Sequence, residues 1–121
     1  SAELESKKAL LSAQRQVMDE LKAQILAEMS HYPADKRSAM YARLMGRAKK
    51  ELGECYVYSN PSDKPLLKLP PGMSSGGVID CRGGLVFESK DRAVRLDYRF
   101  ESMLEDVWNS KIREIYSGLF G

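Results

Sequence analysis

At 121 residues the chain is long enough for one domain with its own core and too short for two. Apolar residues at 43% and charged residues at 30% exclude wholesale disorder, and no apolar run approaches the ~20 residues that span a bilayer. A net charge of +2 singles out no polyanionic partner, and no secretory signal pattern opens the chain. The start, Ser1-Ala2 with helical pattern following at once, reads as the edge of an excised piece, so an upstream segment is expected.

The first predicted element is a long amphipathic helix over Ala2–Ser30. Leu4, Leu11, Met18 and Ile25 recur every seven residues, and Leu10, Val17, Leu21, Leu26 and Met29 widen the stripe. At ~100° per residue the set covers roughly half the circumference, wider than a two-stranded seam. Such a helix meets its own domain on one side and a partner helix on another. The seam expected for the partner is Leu4, Leu11, Met18, Leu21 and Ile25. Its C-terminal half serves equally well as intradomain core. Near Leu4, beyond the globular body, a partner helix is the more economical explanation.

Pro33 in SHYPAD breaks the pattern and suits the first turn of a second helix, about Ala34–Leu52, with Gly53 as its C-cap. Tyr41, Leu44, Met45, Ala48 and Leu52 form its apolar face. Lys36, Arg43, Arg47 and Lys50 form a basic row on the opposite face. Cys55–Tyr58 is rich in β-formers and reads as a strand. The Pro/Gly-rich stretch that follows reads as a loop, with a short edge strand at Leu66–Leu69. GLVFES and AVRLDYRF form a hairpin around Lys90-Asp91-Arg92, a turn without glycine. Val94, Leu96 and Tyr98 alternate with Arg95, Asp97 and Arg99, giving one dry and one wet face. A closing helix runs about Phe100–Phe120 on i, i+3, i+4, i+7 spacing. The predicted class is therefore α+β: two helices, a small, mostly antiparallel sheet of about four strands, and a C-terminal helix packed on it. Residues 1–30 are expected to be the end of a longer helix and residues 31–121 a globular head.

No constellation for catalysis stands out, and the chain is expected not to be an enzyme. His31 is the only histidine and sits among turn residues. Cys55 and Cys81 lack C-x-x-C spacing and, with His31, make one ligand fewer than structural zinc takes. They read as free thiols on buried strands. LPPGMSSGG lacks the Gly-Lys-Ser/Thr ending of a phosphate loop. Glu101 and Glu105 lie opposite the apolar stripe of their helix, as solvated charges do. No cofactor or metal is expected.

From Cys81 to Trp108 the chain resembles the E subunit of the archaeal-type and vacuolar-type rotary ATPases. The resemblance rests on Gly83-Gly84, the strand Leu85-Val86-Phe87-Glu88-Ser89, Val94-Arg95-Leu96-Asp97, and Glu101 to Leu104 with the helix beyond. ARLMGRAKKELGE followed by CYVYSN resembles the preceding helix and strand of that family. Members often carry glycine in the hairpin turn, where this chain has Lys90-Asp91-Arg92. The resemblance implies a peripheral-stalk, or stator, component of an A/V-type proton- or sodium-translocating ATP synthase. Its helix would pair with a second, helical stalk subunit. Its head would dock on the catalytic headpiece, with Phe87, Arg95, Asp97 and Arg99 as docking candidates, and resist rotor torque. It would be cytoplasmic, peripheral to the membrane, without direct insertion and without nucleic acid. Two alternatives stand beside it: a stator or regulator of a flagellar or secretion ATPase, and a small nucleic-acid-binding module using the basic row.

Overall fold

A computed structural model describes all residues, 1–121. Helix α1 spans Ala2–Ser30, about 43 Å at 1.5 Å per residue. The Ser1 hydroxyl accepts the Leu4 N–H at 3.2 Å, and Glu3 and Glu5 sit where the helix dipole favours acids. The chain turns at Pro33 into α2, Ala34–Leu52, which stops at Gly53, whose N–H donates to the Lys49 carbonyl. Strand β1 is Cys55–Ser59, β2 Met73–Val78, β3 Gly84–Ser89 and β4 Arg95–Arg99; α3 then runs Phe100–Phe120. No helix is long and apolar enough to cross a membrane.

The four strands form one sheet in the order β2-β1-β3-β4. The pairs β1–β3 and β3–β4 are antiparallel, whereas β1 and β2 are parallel, with a register irregularity between Val57 and Tyr58. The α+β class holds. The expected edge strand at Leu66–Leu69 does not: Lys64–Leu66 makes a single 3-10 turn, and the edge is Met73–Val78. Ser-Ser-Gly-Gly has little strand preference of its own. Pairing with β1 makes it a strand, which is tertiary context overriding local propensity.

The main core lies between α2 and one face of the sheet. Tyr41, Leu44, Met45 and Ala48 meet Cys55, Val57, Met73, Leu85 and Phe87, with Phe100 closing the end. Leu26 and Met29 bring the C-terminal turns of α1 against the same cluster. A buried polar network pins the loop after β1 into this core. Asp63 is fully buried; it accepts the Tyr41 hydroxyl proton and lies 3.1 Å from the Arg37 guanidinium. The Tyr41 hydroxyl in turn accepts the Gly84 N–H at 3.0 Å, and the Asp63 N–H donates to Asn60 Oδ1 at 2.7 Å. Burial, with the Asp63 hydrogen bond second, pushes the Tyr41 hydroxyl pKa well above its ordinary value. Gly84 has no room for a side chain: at φ 91° a Cβ there would lie 2.2 Å from the Tyr98 carbonyl oxygen. That close approach is a physical reason for the Gly83-Gly84 pair.

Candidate docking surfaces

The first surface begins where α1 and α3 run antiparallel. Lys22 pairs with Glu105 and stands 6.0 Å from the Trp108 ring centroid; toward the other end of α1, Gln14 accepts the Tyr116 hydroxyl proton. Met18 and Trp108 are both buried, so the contact is dry at its centre. Past Met18 toward the start of α1 the cover is partial, with Tyr116 still reaching Gln14. Leu11, Met18, Trp108, Ile112 and Tyr116 line an open groove of about 400 Å³, edged by Arg15 and Asp19. Leu11 is 54% exposed and Ile112 41%. Leu4, Leu10 and Val17 of α1 are also exposed, as is Leu119 on α3.

The expected partner seam is therefore divided. Leu4 and Leu11 face solvent. Met18 is taken by this chain's own α3, so it is not free for a partner helix. Leu21 and Ile25 are half-buried. Heptad spacing alone does not reveal that α3 supplies Trp108, Ile112 and Tyr116 to the same groove. The signal for it is in α3, where Trp108, Ile112 and Tyr116 recur at i, i+4 spacing on one face.

The second surface is the face of the sheet opposite α2. Strand alternation and register place Tyr56, Glu88 and Arg95 in one row, and Tyr58, Val86 and Asp97 in the next, with Arg99 opposite Gly84. Arg95 is exposed, and no carboxylate lies within ion-pair distance. Asp97 and Arg99 form a two-pronged pair, at 2.9 Å from Nε and 2.7 Å from Nη2. Ser102 also donates to Asp97, at 2.7 Å. The Arg99 guanidinium holds the Asp97 carboxyl well below the usual carboxylate range. Phe87 does not belong to this surface. It is fully buried on the α2 side, edge-on to Tyr98 at 6.0 Å, and cannot touch a partner while the sheet is intact.

The turn without glycine solves its geometry differently. Arg92 takes the left-handed conformation, φ 61°, at a cost of ~1 kcal/mol or more. Its guanidinium lies 2.7 Å from Glu88 and 4.7 Å from the Tyr56 ring centroid, and Lys90 sits 4.1 Å from that centroid. Asp91 braces the turn by accepting from the Ala93 N–H at 3.0 Å and the Ser89 hydroxyl at 2.6 Å. Two cations stacked on Tyr56 thus border the second surface, a feature invisible until register is known.

His31 ends α1, with Nδ1 2.7 Å from the Ala27 carbonyl oxygen. Cys55 is buried on β1 as expected, but Cys81 is half-buried in the loop before β3 rather than on a strand. Burial pushes both thiols up. No group of three or more His, Cys, Asp and Glu side chains is placed to hold a metal ion.

No family model matches the chain. Curated relatives do. The chain is 36% identical to the A-type ATP synthase E subunit of Methanocella arvoryzae over 121 residues, covering 100% of this chain and 64% of the relative. It is 34% identical to the E subunit of Methanothrix thermoacetophila over 122 residues, covering 100% of this chain and 65% of the relative. It is 36% identical to that of Natronomonas pharaonis over 126 residues, covering 99% of this chain and 66% of the relative. The chain thus spans slightly under two thirds of the length of these relatives.

Proposed function

Because the chain belongs to the family of A-type ATP synthase E subunits, we propose that it is a non-catalytic part of that synthase's peripheral stalk. In this reading the N-terminal half of α1 and the exposed flank of α3 receive a helix of the second stalk subunit. The head, residues 31–121 with the packed end of α1, docks on the catalytic headpiece through Arg95, Asp97 and Arg99. The stalk then holds the headpiece still against the rotor, so that turning is coupled to proton or sodium movement and to ATP. The chain works at the cytoplasmic face, held to the membrane through the rest of the complex.

The observation that carries this reading is the half-covered groove. An apolar stripe that its own chain covers only partly before Met18 leaves Leu4, Leu10, Leu11, Ile112 and Leu119 exposed. Contiguous exposed apolar surface of this kind marks a protein contact. A helix laid in the groove would meet apolar residues from two helices, the geometry of helix-in-groove recognition.

The test is sedimentation of the chain alone and with the second stalk subunit. A one-to-one complex is expected, lost when Leu4 and Leu11 become Asp. An unaltered complex in that variant, or no complex with wild type, contradicts the reading. Salt-sensitive binding of the headpiece subunits, weakened by Arg95→Glu, is expected for the second surface.

A further inference from the structure

The basic row of α2 is absorbed by neither surface. Lys36, Arg43, Arg47 and Lys50 fall within about 60° of one another around the helix. All four are exposed, and none has a carboxylate within ion-pair distance. They extend over about 21 Å of helix. Four unpaired cations on one rigid line are an electrostatic footprint, although the chain as a whole is only +2.

The spacing narrows the partner. Lys36, Arg43 and Lys50 are seven residues apart, so their row runs nearly parallel to the helix axis, drifting about 20° per heptad. A partner helix with carboxylates at the same interval would meet every one of them. Beside the row lie Ala39 and Gly46, both exposed. Gly46 is in the middle of α2, where glycine is a poor helix former. A Cβ at that position would meet nothing within 4 Å, so no crowding within the chain requires a glycine there. Small residues flanking a cationic row let a second helix come close enough for its acids to reach the cations. Nucleic acid fits less well: the one aromatic ring at the row, Tyr32, has Lys36 Nζ 5.7 Å from its centroid, and no other ring is interleaved for stacking.

We propose that the exposed face of α2 is a third docking surface, which takes an acidic helix of another polypeptide along Lys36, Arg43, Arg47 and Lys50. The occupant is identified by charge complementarity and period, and does not depend on the stalk assignment. Because the face lies on α2, it remains available when the α1–α3 groove is filled.

The test uses the 121-residue chain and a labelled helical peptide carrying Glu at positions i, i+7, i+11 and i+14 on an alanine background. Fluorescence anisotropy is read at several salt concentrations, beside a DNA duplex and vesicles of phosphatidylserine and phosphatidylcholine. The peptide is expected to bind more tightly than either competitor, and Arg43→Glu with Arg47→Glu to weaken it about ten-fold or more. Gly46→Leu is expected to weaken binding comparably while the thermal midpoint holds or rises, which separates a docking role from a folding role. Peptide binding indifferent to the charge reversals, or tighter binding of duplex or vesicles, overturns the proposal.

Discussion

The two halves of α1 carry one pattern and meet two fates. Leu4 and Leu11 sit in the same heptad register as Met18 and Ile25, yet the first pair is exposed while Met18 is buried and Ile25 half-buried. The difference comes from α3 and the core, which bury Met18 and cover α1 only partly toward its start. Heptad spacing records that a face will be covered. It does not record whether the cover is the chain itself or another molecule.

The sharpest way to break the comparison is to unfold the covered side alone. Asp63→Ala leaves Arg37 partly buried without its acid and Tyr41 without its acceptor, so a loss of about 3–5 kcal/mol is expected in urea unfolding. Far-ultraviolet ellipticity of the chain should fall with it, because the exposed half of α1, at ~12–15 residues, is marginal as a helix alone. Retained cooperative unfolding at wild-type denaturant would show that the network carries little.

Next in size is the direct contrast along α1. Met18→Asp puts a carboxylate against Trp108 and should cost about 2–4 kcal/mol, whereas Leu11→Asp, in water already, should stay within about 0.5 kcal/mol. Equal effects at the two positions would remove the division of the stripe.

A pH scan sharpens the covered side further. The Tyr41 pKa is raised in the folded chain. Its contribution is therefore fully present below the unfolded value near 10, and is lost as pH rises through the higher folded value. The expected slope from this one proton is at most ~1.4 kcal/mol per pH unit. Both thiols are also raised and add a loss that starts lower. Tyr41→Phe should remove the upper part of the alkaline slope and leave the thiol part. The smallest effect is at Gly46, where Gly46→Ala should raise stability by about 0.5–1 kcal/mol in a thermal melt.

Much of the fold could be read in the sequence because local signals agreed with tertiary ones. The bounds of α1, α2 and α3 follow from caps, Pro33, Gly53 and apolar periodicity. The hairpin follows from alternation. The rest depends on pairing. Met73–Val78 is a strand because β1 offers it an edge, and nothing in Ser-Ser-Gly-Gly announces that. Asp63 looks like a solvated loop residue between Ser62 and Lys64, yet it is among the most buried side chains. Its burial depends on Arg37 and Tyr41, which are 26 and 22 residues away. Phe87 looks like a docking residue only from its place in a family-like motif. Register puts it on the α2 side, while Arg95, Asp97 and Arg99 lie on the other. The α1–α3 groove is half legible: α1 shows its stripe, but that α3 forms the second wall is a fact of packing.

The most direct test of the divided stripe is hydrogen exchange of the chain with and without the second stalk subunit, resolved by peptide along α1 and α3. Slowed exchange is expected at residues 3–17 and toward the end of α3, with residues 18–30 unchanged because α3 and the core protect them already. Slowing confined to α2 or the sheet, or spread evenly along α1, would contradict a groove that the chain leaves open for its partner.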